Sequence, residues 1–117
     1  MTAQIDQLLR LVGTARDGAL LRFSIGNEYL KNSQYEAAIE HLKAALQRDP
    51  DYSAAWKLLG SALAECGKPR EALEAYRKGG DVAAKRGDRQ AAKEMAVFAR
   101  RVEKKLGPDG DGGALPD

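Results

Sequence analysis

Few side chains in this sequence combine a reactive type with a spacing that supports chemistry. His41 is the single histidine among 117 residues, and a histidine needs close partners to bind zinc or to act as a general base. No serine, cysteine or second histidine accompanies His41 at the spacing of a catalytic triad or a metal site. We therefore interpret His41 as a surface residue on the polar side of a helix.

The remaining candidates are equally sparse. Cys66 is the only cysteine and cannot form an internal disulfide, so we interpret it as a small, partly buried filler. Asp109 and Asp111 are similar to the start of a calcium loop, but the later ligands and the closing glutamate are missing. The sequence thus predicts no catalytic residue, no metal site and no cofactor, and we expect that the protein is not an enzyme.

The composition favours helices. Alanine, leucine, glutamate, lysine and arginine are abundant and are good helix formers, whereas β-branched residues are too few for a strand-rich core. No apolar run approaches the roughly 20 residues that a membrane-spanning helix needs, and the N-terminus lacks the pattern of a signal peptide. We expect an all-α, single-domain cytoplasmic protein without a membrane partner.

The chain repeats itself at an interval of 34 residues. Three positions carry identical residues at this interval: Gly26 and Gly60, Ala38 and Ala72, Glu40 and Glu74. Within each unit, apolar residues recur every three to four positions, which is typical of amphipathic helices. Each unit is therefore predicted to be a pair of helices.

Turn residues separate the predicted helices. Ser33 followed by Glu36 predicts a capping box at the start of a helix. Gly67 suits a left-handed C-cap, and Pro69 suits the first turn of the next helix. Pro50 cannot continue the helix before it and ends the first unit.

The repeated residues resemble the tetratricopeptide repeat (TPR) family. That pattern runs Trp, Leu-Gly, Tyr, two Ala around a Phe, and Pro over about 34 residues. The matching residues of the first unit are Gly26, Tyr29, Ala38, Ala45 and Pro50, and those of the second are Trp56, Leu59, Gly60 and Ala72. Arg22 stands where the first unit would have the Trp. The resemblance covers residues 19–86, and the chain is most similar to small stand-alone bacterial proteins of the family.

The resemblance implies a right-handed superhelix of two helix-turn-helix repeats, flanked by an N-terminal helix and a C-terminal capping helix. We predict a single domain over residues 1–106, with repeat 1 at about 19–52, repeat 2 at about 53–86, a capping helix at 88–106 and a disordered tail at 107–117. Gly79 and Gly80 lie inside the last repeat helix, where each costs about 1 kcal/mol relative to alanine. Either Gly79 lets the capping helix approach closely, or the repeat helix kinks or ends there.

In this family the first helices of successive repeats line a concave face that binds a peptide or helix of another protein. The resemblance places these residues on that face: Leu20, Phe23, Asn27, Leu30, Lys31, Lys57, Leu58 and Ser61. The alternative is that they pack under the N-terminal helix, which would then cover part of the groove.

The positive charge is concentrated near the C-terminus. Residues 77–105 carry ten basic and four acidic side chains, a net charge of +6. A second hypothesis is therefore that a basic surface binds nucleic acid or another acidic partner, through Lys85, Arg86, Arg89, Lys93, Arg100 and Arg101. We expect no exposed aromatic residues among them for base stacking, which favours a solvated face instead. A third hypothesis is structural self-association, so that the protein is a monomer or a weak homodimer.

Overall fold

The computed structural model describes residues 3–107. Its helices are α1 (Ala3–Leu9), α2 (Ala19–Lys31), α3 (Tyr35–Arg48), α4 (Ser53–Glu65), α5 (Pro69–Lys85) and α6 (Arg89–Leu106). No strand occurs in this range, and the predicted all-α fold is confirmed. None of the six helices is both long and apolar enough to cross a membrane. Asp109 and Asp111, with nearly all of the predicted tail, lie outside the described residues.

The helices form two layers. Helices α2, α4 and α6 lie side by side in one layer, and α3 and α5 form the other, where α3 packs on α2 and α4, and α5 packs on α4 and α6. The interior between the layers is filled by apolar side chains such as Ile25, Leu42 and Met95, of which at most 1% is exposed. Burial of this apolar surface is the main force that holds the layers together.

Two of the repeated glycines set the distance between paired helices. A Cβ atom at Gly26 would lie 2.7 Å from Cγ of Leu42, and one at Gly60 would lie 2.5 Å from Cε1 of Tyr76. Carbon atoms pack optimally at about 3.5–4.0 Å, so any side chain there would push α3 from α2, or α5 from α4. This close approach explains why glycine recurs at both positions.

Gly79 has the same role between α5 and its neighbours. Helix α5 runs without interruption from Pro69 to Lys85, so the hypothesis that it ends at Gly79 is wrong. A Cβ atom at Gly79 would lie 2.7 Å from Cβ of Trp56 and 2.8 Å from Sδ of Met95. The hypothesis that Gly79 permits close approach of the last helix is confirmed.

The capping box predicted at Ser33 is wrong. Ser33 has a φ of 60°, and its N–H donates to the carbonyl of Leu30 at 3.0 Å, so it closes α2 instead of starting α3. The N-cap of α3 is Gln34, without a side-chain hydrogen bond. The roles predicted for Gly67 and Pro69 are confirmed, because Gly67 has a φ of 82° and Pro69 lies in the first turn of α5.

Candidate functional site

The α2–α4–α6 layer has an open face, which is the side turned away from α3 and α5. Leu20, Asn27 and Lys31 are seven and four residues apart and therefore share one side of α2. Gly26 lies on a different side of α2, which packs against α3. None of the eight residues predicted to line the groove is fully buried, so each keeps some contact with solvent.

An apolar corner joins α2 to the start of α4 on this face. The ring of Phe23 stacks on the ring of Tyr52, with centroids 4.8 Å apart. Burial raises the pKa of Tyr52, and the nearby Asp49 raises it further. One turn before Phe23, the side chain of Leu20 is 68% exposed. Leu20, Phe23 and Tyr52 are called the aromatic corner below.

Lys57 contacts two side chains of α6. Its Nζ donates a hydrogen bond to Oε1 of Glu94 at 3.0 Å, and both side chains are 41% exposed. The same ammonium lies 5.7 Å from the ring centroid of Phe98, within the range of a cation–π interaction. Sequence reasoning missed Glu94 and Phe98, because it placed them on a capping helix and not beside the second repeat's Lys57.

Three of the other predicted groove residues also make contacts within the fold. Ser61 forms a hydrogen bond with Tyr76; burial raises the pKa of Tyr76, and this bond only partly offsets the effect. Lys31 donates to Glu28 at 3.3 Å, and Leu58 packs against the hydrophobic core.

Leu30 likewise packs against the core from the end of α2. The amide of Asn27, by contrast, makes no side-chain hydrogen bond within residues 3–107. Leu20 and Asn27 are therefore the members of the predicted set that a partner can reach most directly.

The N-terminal helix does not bridge the open face. Helix α1 packs against α2 and against no other described helix, with Ile5 as its buried anchor. Leu20 remains exposed beside it. Helix α1 therefore does not reach the part of the groove along α4. The alternative that groove residues of α2 pack under this helix stays a prediction.

A further cavity lies on the other layer. It has a volume of about 500 Å³ and opens between α3 and α5, with α4 as its floor. Leu46, Leu59 and Leu63 form much of its wall and are at most 7% exposed. We assign no site to this cavity.

His41 is half-buried, which corrects its interpretation as a surface residue. Its ring stacks on Tyr29 at a centroid distance of 5.7 Å, and its Nδ1 lies 3.3 Å from Nη1 of Arg22. Burial lowers the pKa of His41, and the positive charge of Arg22 lowers it further. The sequence could not show this contact, because Arg22 and His41 lie on different helices.

Arg22 also ties the segment before α2 to that helix. Its Nε donates to Oδ1 of Asp17 at 2.8 Å and its Nη2 to Oδ2 at 3.1 Å. The hydrogen bonds from Arg22 and from the backbone N–H of Gly13 hold the pKa of Asp17 well below its usual range. The cluster contains no nucleophile and is accounted for by these contacts.

No group of acidic, histidine and cysteine side chains within residues 3–107 could hold a metal ion. Cys66 is half-buried against the core, as expected of a filler.

The predicted basic residues do not converge on one patch. Arg86 donates to the carbonyl of Asp51 at 2.7 Å, and the guanidinium of Arg101 lies 5.6 Å from the ring centroid of Phe98. All six are exposed, and the four that make no such contact among the described residues are Lys85, Arg89, Lys93 and Arg100. Only the last three of these share a helix.

Comparison with known proteins places this architecture in a family. Residues 23–79 match the model of the tetratricopeptide repeat family. A TPR repeat-containing protein of Pseudomonas aeruginosa is 43% identical over 100 residues, which are 86% of this chain and 95% of that protein. A Bordetella parapertussis protein of known solution structure is 40% identical, with a TM-score of 0.78 over 91% of this chain and 92% of that chain.

A tetratricopeptide repeat domain protein of Salinibacter ruber shares the fold, with 22% identity and a TM-score of 0.70 over 75% of this chain and 89% of that chain. Proteins of this kind generally mediate protein–protein interactions as non-enzymatic scaffolds. The resemblance drawn from the repeated residues is confirmed, and the chain belongs to the tetratricopeptide repeat family.

Proposed function

We propose that this protein is an interaction module that binds a peptide or helical segment of a partner protein on the open face of the α2–α4–α6 layer. The observation that carries the proposal is the aromatic corner, where Leu20 is 68% exposed beside the stacked rings of Phe23 and Tyr52. The Asn27 amide follows on the same side of α2. An apolar anchor with an adjacent hydrogen-bonding group is what a bound peptide needs.

The aromatic corner supplies affinity, and Asn27 supplies orientation. Burying a leucine side chain against a partner contributes roughly 2 kcal/mol, and the half-buried rings add preformed apolar contact without further ordering cost. The Asn27 amide can donate to and accept from a peptide backbone. We therefore expect an apolar partner side chain at the aromatic corner and partner backbone near Asn27.

Lys57 contributes little net affinity in this proposal. A partner carboxylate would have to compete with Glu94, which already accepts from Lys57 at 3.0 Å. Exposed ion pairs of this kind are worth about 0–1 kcal/mol. Binding at the open face is therefore expected to depend only weakly on salt concentration.

The test is affinity capture from a lysate of the source cells, treated with nuclease, followed by mass spectrometry. The wild type is compared with Leu20→Ala/Asn27→Ala, which alters exposed and half-buried positions and leaves the Phe23–Tyr52 stack intact. The matched control is Glu40→Ala/Lys43→Ala, at exposed positions of α3 on the other layer. All three proteins must first show equal helicity and equal melting temperatures.

A partner that the wild type and the control capture, and that the open-face variant loses, supports the proposal and identifies the partner. If the same partners survive the open-face substitutions, the groove hypothesis is wrong. A cytoplasmic setting, no catalysis, no cofactor and a monomer or weak homodimer are part of the proposal.

A further inference from the structure

Helix α6 occupies a place in the fold that normally carries another helix. Within residues 3–107, α2 is covered by α3 and α4 is covered by α5, but no helix covers the corresponding side of α6. The buried residues show the correspondence: Leu59 and Leu63 of α4 match Met95 and Ala99 of α6, at an interval of 36 residues and all at most 9% exposed.

This correspondence identifies the uncovered side. Helix α4 meets α5 with Gly60, which faces Tyr76, and with Trp56, which faces Gly79. At the same interval of 36 residues, Trp56 and Gly60 of α4 correspond to Ala92 and Ala96 of α6. Ala96 is exposed, so the surface that α4 buries under α5 lies open on α6.

The uncovered side forms a groove with α5 of about 490 Å³. Its apolar floor consists of Gly80, Ala92, Met95, Ala96 and Ala99. Because the α6 residues at its centre end at Cβ, a helix can approach α6 as closely as neighbouring helices do in proteins, at about 8–10 Å between axes.

A row of four cations runs beside this groove. Arg89, Lys93, Arg100 and Lys104 are four, seven and four residues apart, so they share one side of α6, and all four are exposed. At 1.5 Å per residue the row is about 22 Å long. We call it the basic stripe.

Both carboxylates of α6 are paired with cations outside the basic stripe. Glu94 accepts from Lys57, and Glu103 pairs with Arg77. None of the four stripe cations has an ion pair among the described residues. Asp81 on the α5 wall of the groove is the nearest acidic residue in the lining besides Glu103. The basic stripe therefore presents unneutralised positive charge on the exposed side of α6.

We propose that the uncovered side of α6 docks an amphipathic helix of a partner protein. Its small apolar residues pack on Ala92, Ala96 and Ala99, and its acidic side chains align with the basic stripe. This helix continues the packing that α3 and α5 already show on α2 and α4. The proposal concerns a different surface from the open face and does not depend on it.

The charge and the apolar surface of the groove argue against two other binding partners, a second copy of this protein and nucleic acid. A second copy that packed α6 against α6 would bring two basic stripes together, and such like-charge contacts are costly. Nucleic acid would neutralise the basic stripe but would leave the apolar floor of the groove unfilled. An acidic amphipathic helix satisfies both the charge and the apolar surface.

The probes are two synthetic helical peptides of about 20 residues, long enough to span the basic stripe. They share one alanine- and leucine-rich face and differ only along one flank, where one carries glutamates and the other lysines. Binding to the full-length protein is measured by fluorescence anisotropy at low and at moderate salt. We expect the acidic peptide to bind, more weakly as salt rises, and the basic peptide not to bind.

Two variants separate the apolar and the charged contributions. Ala96→Trp fills the groove at an exposed position and is expected to weaken binding of the acidic peptide at least about tenfold, since it blocks helix approach. Lys93→Glu/Arg100→Glu reverses two stripe charges and is expected to weaken it about 30-fold and to permit binding of the basic peptide. Lys43→Glu, at an exposed cation of α3, and the Leu20→Ala/Asn27→Ala variant should bind the acidic peptide as the wild type does.

The proposal is overturned if the acidic peptide does not bind, or if Ala96→Trp binds it as tightly as the wild type. It is also overturned if a short DNA or RNA duplex binds the stripe with full affinity in Ala96→Trp, which would assign the surface to nucleic acid. A concentration-dependent dimer in sedimentation that Ala96→Trp abolishes would place a second copy there instead. Loss of partners in the open-face experiment would leave this result unchanged.

Discussion

Replacing Gly79 and Gly80 separately by alanine gives two neighbouring substitutions with opposite expected effects. Both glycines lie inside α5, and alanine in a helix interior is more favourable than glycine by about 1 kcal/mol. At Gly80 the new Cβ atom would meet only Cβ of Met95, at 3.6 Å, which is ordinary contact. Gly80→Ala should therefore raise the free energy of unfolding by about 1 kcal/mol.

At Gly79 the same gain is opposed by a clash. The new Cβ atom would lie 2.7 Å from Cβ of Trp56, roughly 1 Å closer than the optimum for two carbon atoms. Cβ of Trp56 is attached to the backbone and can move only with α4, whereas the Met95 side chain can rotate away. Overpacking of this kind costs about 1–3 kcal/mol. Gly79→Ala should thus be less stable than Gly80→Ala by about 1–3 kcal/mol.

Urea denaturation followed by circular dichroism at the helical band measures both free energies. Because the helix-propensity gain is common to the two variants, their difference isolates the clash. At about 4 °C per kcal/mol for a domain of this size, Gly79→Ala should melt about 4–12 °C below Gly80→Ala. Equal stability of Gly79→Ala and Gly80→Ala would contradict the close packing of α5 against α4 and α6 in the structure.

Three further substitutions test the turns and the ion pairs. Ser33→Gly should raise the free energy of unfolding by about 0.5–1 kcal/mol in urea denaturation, because Ser33 has a φ of 60° and glycine adopts this conformation without strain; an unchanged or lower stability would contradict this. Asp88→Ala should lower it by about 1 kcal/mol in the same assay, because the Asp88 carboxylate accepts from the N–H of Ala91 at 3.1 Å at the start of α6; no loss would mean that this cap is not formed. Asp17→Asn should lower the melting temperature at neutral pH. Since folding depresses the pKa of Asp17, its stabilisation is complete above the unfolded pKa of about 3.9 and is lost as pH falls below it. The gap between the two melting temperatures should therefore narrow as pH falls from about 4 to about 2, and a constant gap would refute the ion pair.

The helices and their pairing follow from local rules, which is why the sequence predicts them well. The repeats were predicted to begin at about residues 19 and 53, and helices begin at Ala19 and Ser53 in the structure. Apolar periodicity, Gly67 and Pro69 act within a few residues of themselves and need no tertiary contact. The capping box predicted at Ser33 was wrong because serine is a common N-cap residue. In the structure Ser33 instead lies in the turn after the end of α2.

The candidate surfaces depended on packing between helices, and here the sequence was a weaker guide. It identified Leu20, Phe23 and Asn27 as groove residues, and the structure exposes Leu20 and pairs Phe23 with Tyr52. It did not show that Lys57 meets Glu94. This contact depends on the length of α5, which has 17 residues where α3 has 14.

The sequence alone determined the helical repeat and its family, because the 34-residue interval, the small residues at helix contacts and the turn signals are all local features of the chain. Only the tertiary structure decided which charges are free. It pairs Lys57, Arg22 and Arg77 with acidic side chains on other segments and leaves the basic stripe of α6 open. Such pairings depend on helix length and on the angle at which helices pack, and neither quantity is encoded in the spacing of residues within one helix.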